Sequence, residues 1–528
     1  MMAPWSVFRR WAKAVEGDTK RNNSRRSSVF SQSSSTWIRF TTTVVPSTLV
    51  NICPSIKVDS WTTKGRLFQS KKRRSRQKHE FTFVCPISGQ PPDVQIFKLP
   101  PELLFQIFEE CCFSEHPHTI LRISMVCSRW RDICLSLPHI WSTIGIPIDV
   151  QPRKILKKQR DIVNLYLQRS NTSPLSIILY SRSGTINKDT MRAFVIWFEP
   201  LITLLRTQAH RWRTMEVRAY FPTGSYYHLF APGIDLGMLE SLRVHETDNS
   251  FHLHRFPGFS TAAKLQTVHA SKTPFFAHGS TTFPASQIRT LVLEDMMLYF
   301  TTPDIVASFP NATDLTIIPH TTIYGHTRFA PSSIRRMGIT SLTLSVLCSP
   351  IQLTDIMSRM ELPNLRTLAL VSGPRKQSRR RFDPSCFDHL FRHSGDSLRH
   401  LIVDRVPILS GDIAELVRKI PELEKLVVRE SDFGQEDDYC SISSSRVRRI
   451  LEEAPHLKDL ELIYRKRERC EAAVTEARVM DVIEERMYSH MPLRCLTLGV
   501  GTAHLFAESS LIRCRMKVLR DAGLGYCS

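Results

Sequence analysis

The chain has 528 residues, more than one hydrophobic core usually supports, so a small module, a large module and a tail are expected. Hydrophobic residues make up 42% and charged residues 23%, ordinary globular proportions, and the lack of any long apolar run argues against a membrane-spanning helix. The formal charge of +21 would suit a nucleic-acid binder, but residues 1–90 hold 17 Lys and Arg against 4 Asp and Glu, which leaves only +8 for the remainder.

Residues 1–92 are rich in Ser, Thr, Lys and Arg, include the tract SQSSS at 31–35, and keep neither a strand nor a helix period. They are read as a disordered basic arm. Its run Lys71, Lys72, Arg73, Arg74, Ser75, Arg76, Gln77, Lys78 fits a nuclear localisation signal, a phosphate-binding patch or a solvated linker. Glu16 and Asp18 interrupt a stretch that otherwise resembles a mitochondrial transit peptide, and no apolar segment precedes a small-residue cleavage site. The 13 cysteines form no C-x-x-C pair and no zinc-spaced cluster. Reduced thiols inside the cell, in cytoplasm and/or nucleus, are the expectation.

From Phe97 the texture changes, and residues 93–145 are read as a helical module. Leu103, Leu104, Ile107, Phe108, Cys111 and Cys112 make a broad apolar stripe on one helix, with Pro101 suited to its first turn. Ile120, Ile123, Cys127, Trp130, Cys134 and Leu137 repeat helical spacing up to Pro138, with Trp141 beyond. Two or three short helices fit residues 101–137. A unit this small cannot bury so much apolar surface alone, so it must pack on the rest of the chain or on another protein.

The string from Leu99 to Phe108 combines an entry Leu-Pro with an Ile-Phe pair; Val126-Cys-Ser-Arg-Trp-Arg131 and Leu137-Pro-His-Ile-Trp141 come after it in order. Together they resemble the F-box motif. The main departure is the polar insertion Ser114–His118 in the first interhelical loop. The stretch from Asn164 to Leu179, a Leu/Tyr-rich helix, a Ser/Asn/Pro turn and the alternation Leu175, Ile177, Leu179, is similar to the segment behind the motif in fungal members. The resemblance implies a non-enzymatic subunit of a cullin-type ubiquitin ligase, docked on a Skp-type adaptor and through it a cullin, with an unknown protein substrate. It also implies that Leu99, Pro100, Leu104, Ile107, Phe108, Val126 and Trp130 form the adaptor contact or the core that shapes it.

Residues 146–205 are read as linker helices and a first strand. Across residues 206–528 a beat of three apolar positions, Φ-x-x-Φ-x-Φ, recurs eleven times, from Trp212/Met215/Val217 to Leu493/Leu496/Leu498, with starts 23 to 36 residues apart. The last two positions of a beat should point inward from a short strand while the first covers the adjoining turn. Pro310, Pro363, Pro421 and Pro455 each stand two residues before a beat and close helically spaced segments such as Ile413, Leu416, Val417 and Ile420. Helix then strand is the expected unit. The region resembles degenerate leucine-rich repeats, so the fold class is α/β: a small helical F-box module followed by a leucine-rich-repeat-like solenoid. An irregular α/β domain with Leu-rich strands is the competing reading.

No Walker loop, no G-x-S-x-G elbow and no H-E-x-x-H is present; His245-Glu246 lacks a second histidine, and His252 and His254 lack a third ligand. No cofactor, no metal and no catalytic residue are expected. Arg375, Lys376, Arg379, Arg380 and Arg381, and Arg465, Lys466, Arg467 and Arg469, come after two of the beats and suit either solvated loops or anion grips. Arg243, His269, Thr316, Thr343, Ala369 and Glu461 should lie on the face opposite the core and announce no particular ligand. The alternatives to a ligase subunit are an interaction scaffold and a basic nuclear protein, the second weakened by the lack of aromatics near the basic runs.

Overall fold

A computed structural model describes residues 99–113, 119–148, 153–180, 198–218, 228–245, 257–271, 283–296, 302–319, 334–346, 350–372, 382–430 except 407 and 409, 443–464, 469–488, 493–500 and six positions between 515 and 524. The run 71–78, His252, His254, Ser114–His118, the cluster 375–381 and residues 465–468 lie outside them.

The helical module consists of α1 (Pro101–Phe113), α2 (Thr119–Ile123), α3 (Ser128–Leu135) and a 3-10 turn at Pro138–Trp141. Two or three short helices were expected, and three are found. Among the described residues beyond the module, apart from a short parallel pair at Arg335–Arg336 and Met360–Glu361, there are thirteen strands: β1 (Thr143–Pro147), β2 (Leu175–Tyr180), β3 (Trp212–Arg218), β4 (Ser241–His245), β5 (Thr267–Ser271), β6 (Thr290–Met296), β7 (Asp314–Pro319), β8 (Ser341–Ser345), β9 (Thr367–Val371), β10 (His400–Asp404), β11 (Lys425–Arg429), β12 (Asp459–Tyr464) and β13 (Cys495–Val500). They form one sheet in chain order, every neighbouring pair parallel. Parallel neighbours cannot be joined by a tight hairpin, so each connection must carry the chain back along the sheet. Repeating that step produces a solenoid-like architecture.

All eleven beats are strands, and the reason is visible in their burial. The second and third positions, from Met215 and Val217 to Leu496 and Leu498, face one side of the sheet and are closed off from solvent. The first position, from Trp212 to Leu493, is buried in the preceding turn. Equivalent residues are in register, for example Met215 with Leu242 and Leu242 with Val268, so apolar side chains stack strand upon strand. No single repeat could hide this surface, at roughly 1.5–3 kcal/mol per large side chain; the stack can.

The returning connections differ along the sheet. Helix α4 (Arg153–Arg169) precedes β2, and beyond β6 helices fill most of the connections: α5 (Thr302–Ala307), α6 (Pro350–Met357), α7 (Asp388–Ser394), α8 (Ser410–Arg418), α9 (Ser444–Glu453) and α10 (Arg469–Met487) each precede one of β7 and β9–β13. Between β4 and β6 the described connections contain the 3-10 turns Pro257–Thr261 and Ala285–Gln287 instead. Along this stretch Phe230, Phe259, Phe283 and Phe309 form a file of buried rings with successive centroids 4.7, 5.5 and 6.3 Å apart. Ring packing of this kind fills the core beside these connections.

Strand β1 begins two residues after the module's last aromatic and pairs with β2, so the sheet starts on the module side of the expected linker. One apolar core runs from Leu104 and Phe108 of α1 through Trp141 and Tyr166 into the beats. The module rests on its own solenoid.

Candidate functional site

The module is held together by a few specific contacts. Pro101 opens α1, where its missing N–H costs nothing, and the amide of Leu104 donates to the Pro100 carbonyl at 3.2 Å. The Arg129 guanidinium donates to the Leu99 carbonyl at 2.7 Å and fastens the entry of α1 to α3. The Cys127 thiol caps α3 by accepting from the Trp130 amide at 3.4 Å. Trp141 donates from Nε1 to the Cys134 carbonyl at 2.7 Å and meets Tyr166 of α4 edge-on at 5.3 Å, with the Arg169 guanidinium over its ring. Trp141 thereby joins the module to the solenoid.

These contacts divide the residues singled out in the sequence. Leu104 and Phe108 are internal, both essentially closed to solvent. Leu99 and Trp130 are partly buried against the same core, the Trp130 ring 4.9 Å from that of Phe108. Pro100 is exposed, as are Ile107 at 40% and Val126 at 54%. Helical periodicity could not separate Ile107 from Leu104 and Phe108 because all three lie on one broad stripe of α1. Three further apolar side chains, Leu103, Met125 and Leu135, are also exposed. Among the described residues, five of the nine exposed large hydrophobics fall between 103 and 135. Leu103 and Ile107 are one turn apart on α1, so they share a face. Scattered exposed Leu needs no explanation; this concentration in so short a module does.

The module's cysteines offer no chemistry. Burial, with the neighbouring Cys111 and Glu109 charges adding to it, pushes the Cys112 thiol up to about 12; burial followed by Cys112 does the same to Cys134. Both remain protonated packing groups.

A second cluster lies on the sheet face opposite the beats. Register brings Glu216 of β3 beside Arg243 of β4 and Arg243 beside His269 of β5; Arg218 pairs with His245, and Ser271 with Glu294 of β6. The Arg243 Nε donates to His269 Nδ1 at 2.6 Å, and His269 Nε2 lies 2.6 Å from Glu294 Oε2. With Nδ1 accepting, His269 carries its proton on Nε2 and donates it to Glu294. His245 Nε2 stands 3.5 Å from Glu216 Oε1 and its Nδ1 3.8 Å from Glu294 Oε2. Glu216 also receives the guanidinium of Arg218 at 2.7 Å. Burial, reinforced by Arg243 and His245, pushes His269 down to about 4 despite its hydrogen bond to Glu294. Burial raises both carboxylates, but the hydrogen bonds of Glu216 to His245 and Arg218 and of Glu294 to His269, with Arg243 near both, outweigh it and hold them below their usual range.

This cluster does not stand out in the sequence. His245 draws notice there only beside its neighbour Glu246, and His269 only as one position on the polar face. The usable signal was the beat itself: aligning the repeats puts His245, His269 and Glu294 on one face of three successive strands. The remaining polar-face positions are milder, with Thr316, Thr343 and Ala369 in adjacent register and Glu461 bound by the Arg429 guanidinium at 2.8 Å. Arg469 opens α10.

No helix among the described residues is long and apolar enough to cross a membrane. Two solved structures share distant likeness with the chain. One, from the yeast Rad7 and Elc1 complex, is 13% identical, covers 70% of this chain and 89% of its own, and has a TM-score of 0.28. The other, a Bacteroides fragilis protein, is 13% identical, covers 51% of this chain and 66% of its own, and also has a TM-score of 0.28. No curated protein matches. The family model described as F-box-like matches residues 96–147, the stretch that contains the module and β1. Residues 96–147 thus carry an F-box-like domain, a family of non-catalytic adaptor and scaffold modules that act through protein–protein interaction and the ubiquitin pathway.

Proposed function

We propose that the chain is the substrate-recognition subunit of an SCF-type ubiquitin ligase, binding a Skp-type adaptor, and through it a cullin, by the F-box-like domain. The observation that carries this reading is the set of exposed apolar side chains Leu103, Ile107, Met125, Val126 and Leu135 on a module whose other side is already seated on its own solenoid. Since the intramolecular contact leaves them uncovered, another protein is the natural cover. Pro100, Ile107 and Val126 then belong to the adaptor contact, whereas Leu104 and Phe108 shape it from within, with Leu99 and Trp130 between the two. The thirteen-stranded region, read as a degenerate leucine-rich-repeat solenoid, would hold the protein substrate. Its role is proximity: a substrate held beside a charged conjugating enzyme reacts at a high effective concentration while this chain performs no chemistry. Such a subunit works in the cytoplasm or nucleus.

Co-purification with a Skp-type adaptor tests the proposal. Ile107→Asp and Val126→Asp should each weaken capture by roughly 30- to 1,000-fold, as expected for loss of a buried interface anchor. Undiminished capture by both folded variants would remove the assignment.

A further inference from the structure

We propose that His245, His269 and Glu294 form a binding site for a divalent transition-metal ion of the zinc class. The three side chains come from the successive strands β4, β5 and β6 and each offers one donor atom, all within 4.8 Å of one another. Two imidazoles and a carboxylate are a donor set that zinc accepts, with at least one coordination position left for water or an incoming group. Donors around a tetrahedral zinc stand about 3.4 Å apart at bond lengths near 2.1 Å. The present separations of 2.6 Å, His269 to Glu294, and 3.8 Å, His245 to Glu294, bracket that spacing. The site is also dry: His245, His269 and Glu294 have side-chain exposures of 11%, 8% and 17%.

Among the described residues, Glu216 and Glu294 bring two negative charges to the site and Arg218 and Arg243 two positive ones. Arg243 is the competitor. Its donation to His269 Nδ1 fixes the tautomer with the proton on Nε2, whereas a metal on Nε2 needs that proton on Nδ1. Binding must therefore turn Arg243 away. Its side chain is 42% exposed and already within 3.4 Å of Glu216 Oε1, which gives it somewhere to go. Turned toward Glu216, it stands farther from the incoming ion and leaves the Glu294 carboxylate to the cation. Arg243 is thus a positioning residue that sets metal affinity through His269.

The experiment is titration of the full-length chain with Zn²⁺ by calorimetry and with Co²⁺ by visible absorption, with circular dichroism to check folding. One ion should bind, with a nitrogen/oxygen-type cobalt spectrum. His269→Gln and Glu294→Gln should each weaken binding by more than about 100-fold, since even outer partners of a metal ligand commonly account for 10- to 100-fold. Arg243→Gln should tighten it by about tenfold, because a fixed positive charge leaves the neighbourhood of a dication. If the histidine or glutamate variants do not fold, the arginine variant decides: unchanged or weaker binding overturns the site. So do a wild-type chain that binds no cobalt, ligand variants that bind as before, and thiolate-to-cobalt absorption that would place the ion on cysteines.

Discussion

The helical module and the solenoid solve the same problem differently. Each has more apolar surface than one repeat or one helix can hide. The solenoid hides its surface by stacking like on like, so that residues such as Leu242, Leu291 and Leu368 are fully enclosed by strands before and after them. The module has no second copy to stack on. It buries Leu104, Phe108 and Trp141 against the sheet's beginning and leaves Ile107 and Val126 in solvent. Repetition closes a surface internally, and a single non-repeated unit at the end of a stack does so only in part. The difference lies in which apolar side chains the folded chain covers by itself.

The largest test of this contrast is the seam. Trp141→Ala removes the side chain that both regions share and strips the Cys134 carbonyl of its donor, so a loss of about 3–5 kcal/mol is expected. Chemical denaturation with hydrogen exchange should show protection lost on both sides, in α1–α3 and in β1–β2. Loss confined to the module would mean that the two cores are separate.

Acid provides a smaller effect with the opposite locality. His269, ordinarily near 6.5, sits at about 4, so folding favours its neutral form. The stability this supplies is complete above about pH 6.5 and is lost as pH falls through 4, a contribution on the order of 3 kcal/mol. Glu216 and Glu294, both lowered, add stability above their ordinary value of 4.5 that is lost below it, in the same direction. Amide protection in β4–β6, taken relative to the intrinsic exchange rate at each pH, should therefore fall between pH 6.5 and 4 ahead of protection in α1–α3. His269→Gln should flatten that dependence; an equal acid response in the module would locate the sensitive group elsewhere.

The smallest expected effect concerns the face left open. Ile107→Asp and Val126→Asp replace side chains that the folded chain does not enclose, so unfolding free energy should change by no more than about 0.5 kcal/mol while adaptor capture falls. A large loss of stability would mean that the side chains serve the module's own core.

The elements themselves were legible in the sequence to different degrees. The beat located eleven strands because each rests on an apolar alternation that no turn residue interrupts. Strand β1 was missed since Thr143-Ile-Gly-Ile-Pro is short, carries Gly and Pro, and sits directly behind the module. In the described parts of the connections before β5 and β6 there are 3-10 turns, and phenylalanines far apart in sequence pack as a file beside them; no local period signals such a file. For the module, the spacing predicted two or three helices but could not separate Ile107 from Phe108. Adjacent positions on one broad stripe have the same local pattern, and only the position of the solenoid decides which of them is covered.

The local and the periodic were therefore set by the sequence alone: the F-box-like pattern, the helices of the module and the inward residues of each beat, all consequences of backbone geometry acting over a few residues. Tertiary packing settled which apolar side chains stay exposed and which charged ones meet. His245, His269 and Glu294 lie 24 and 25 residues apart along the chain, yet parallel register places their donor atoms within 4.8 Å. Proximity of that kind is set by strand pairing and by the length of each returning connection, neither of which is written at the residues it brings together.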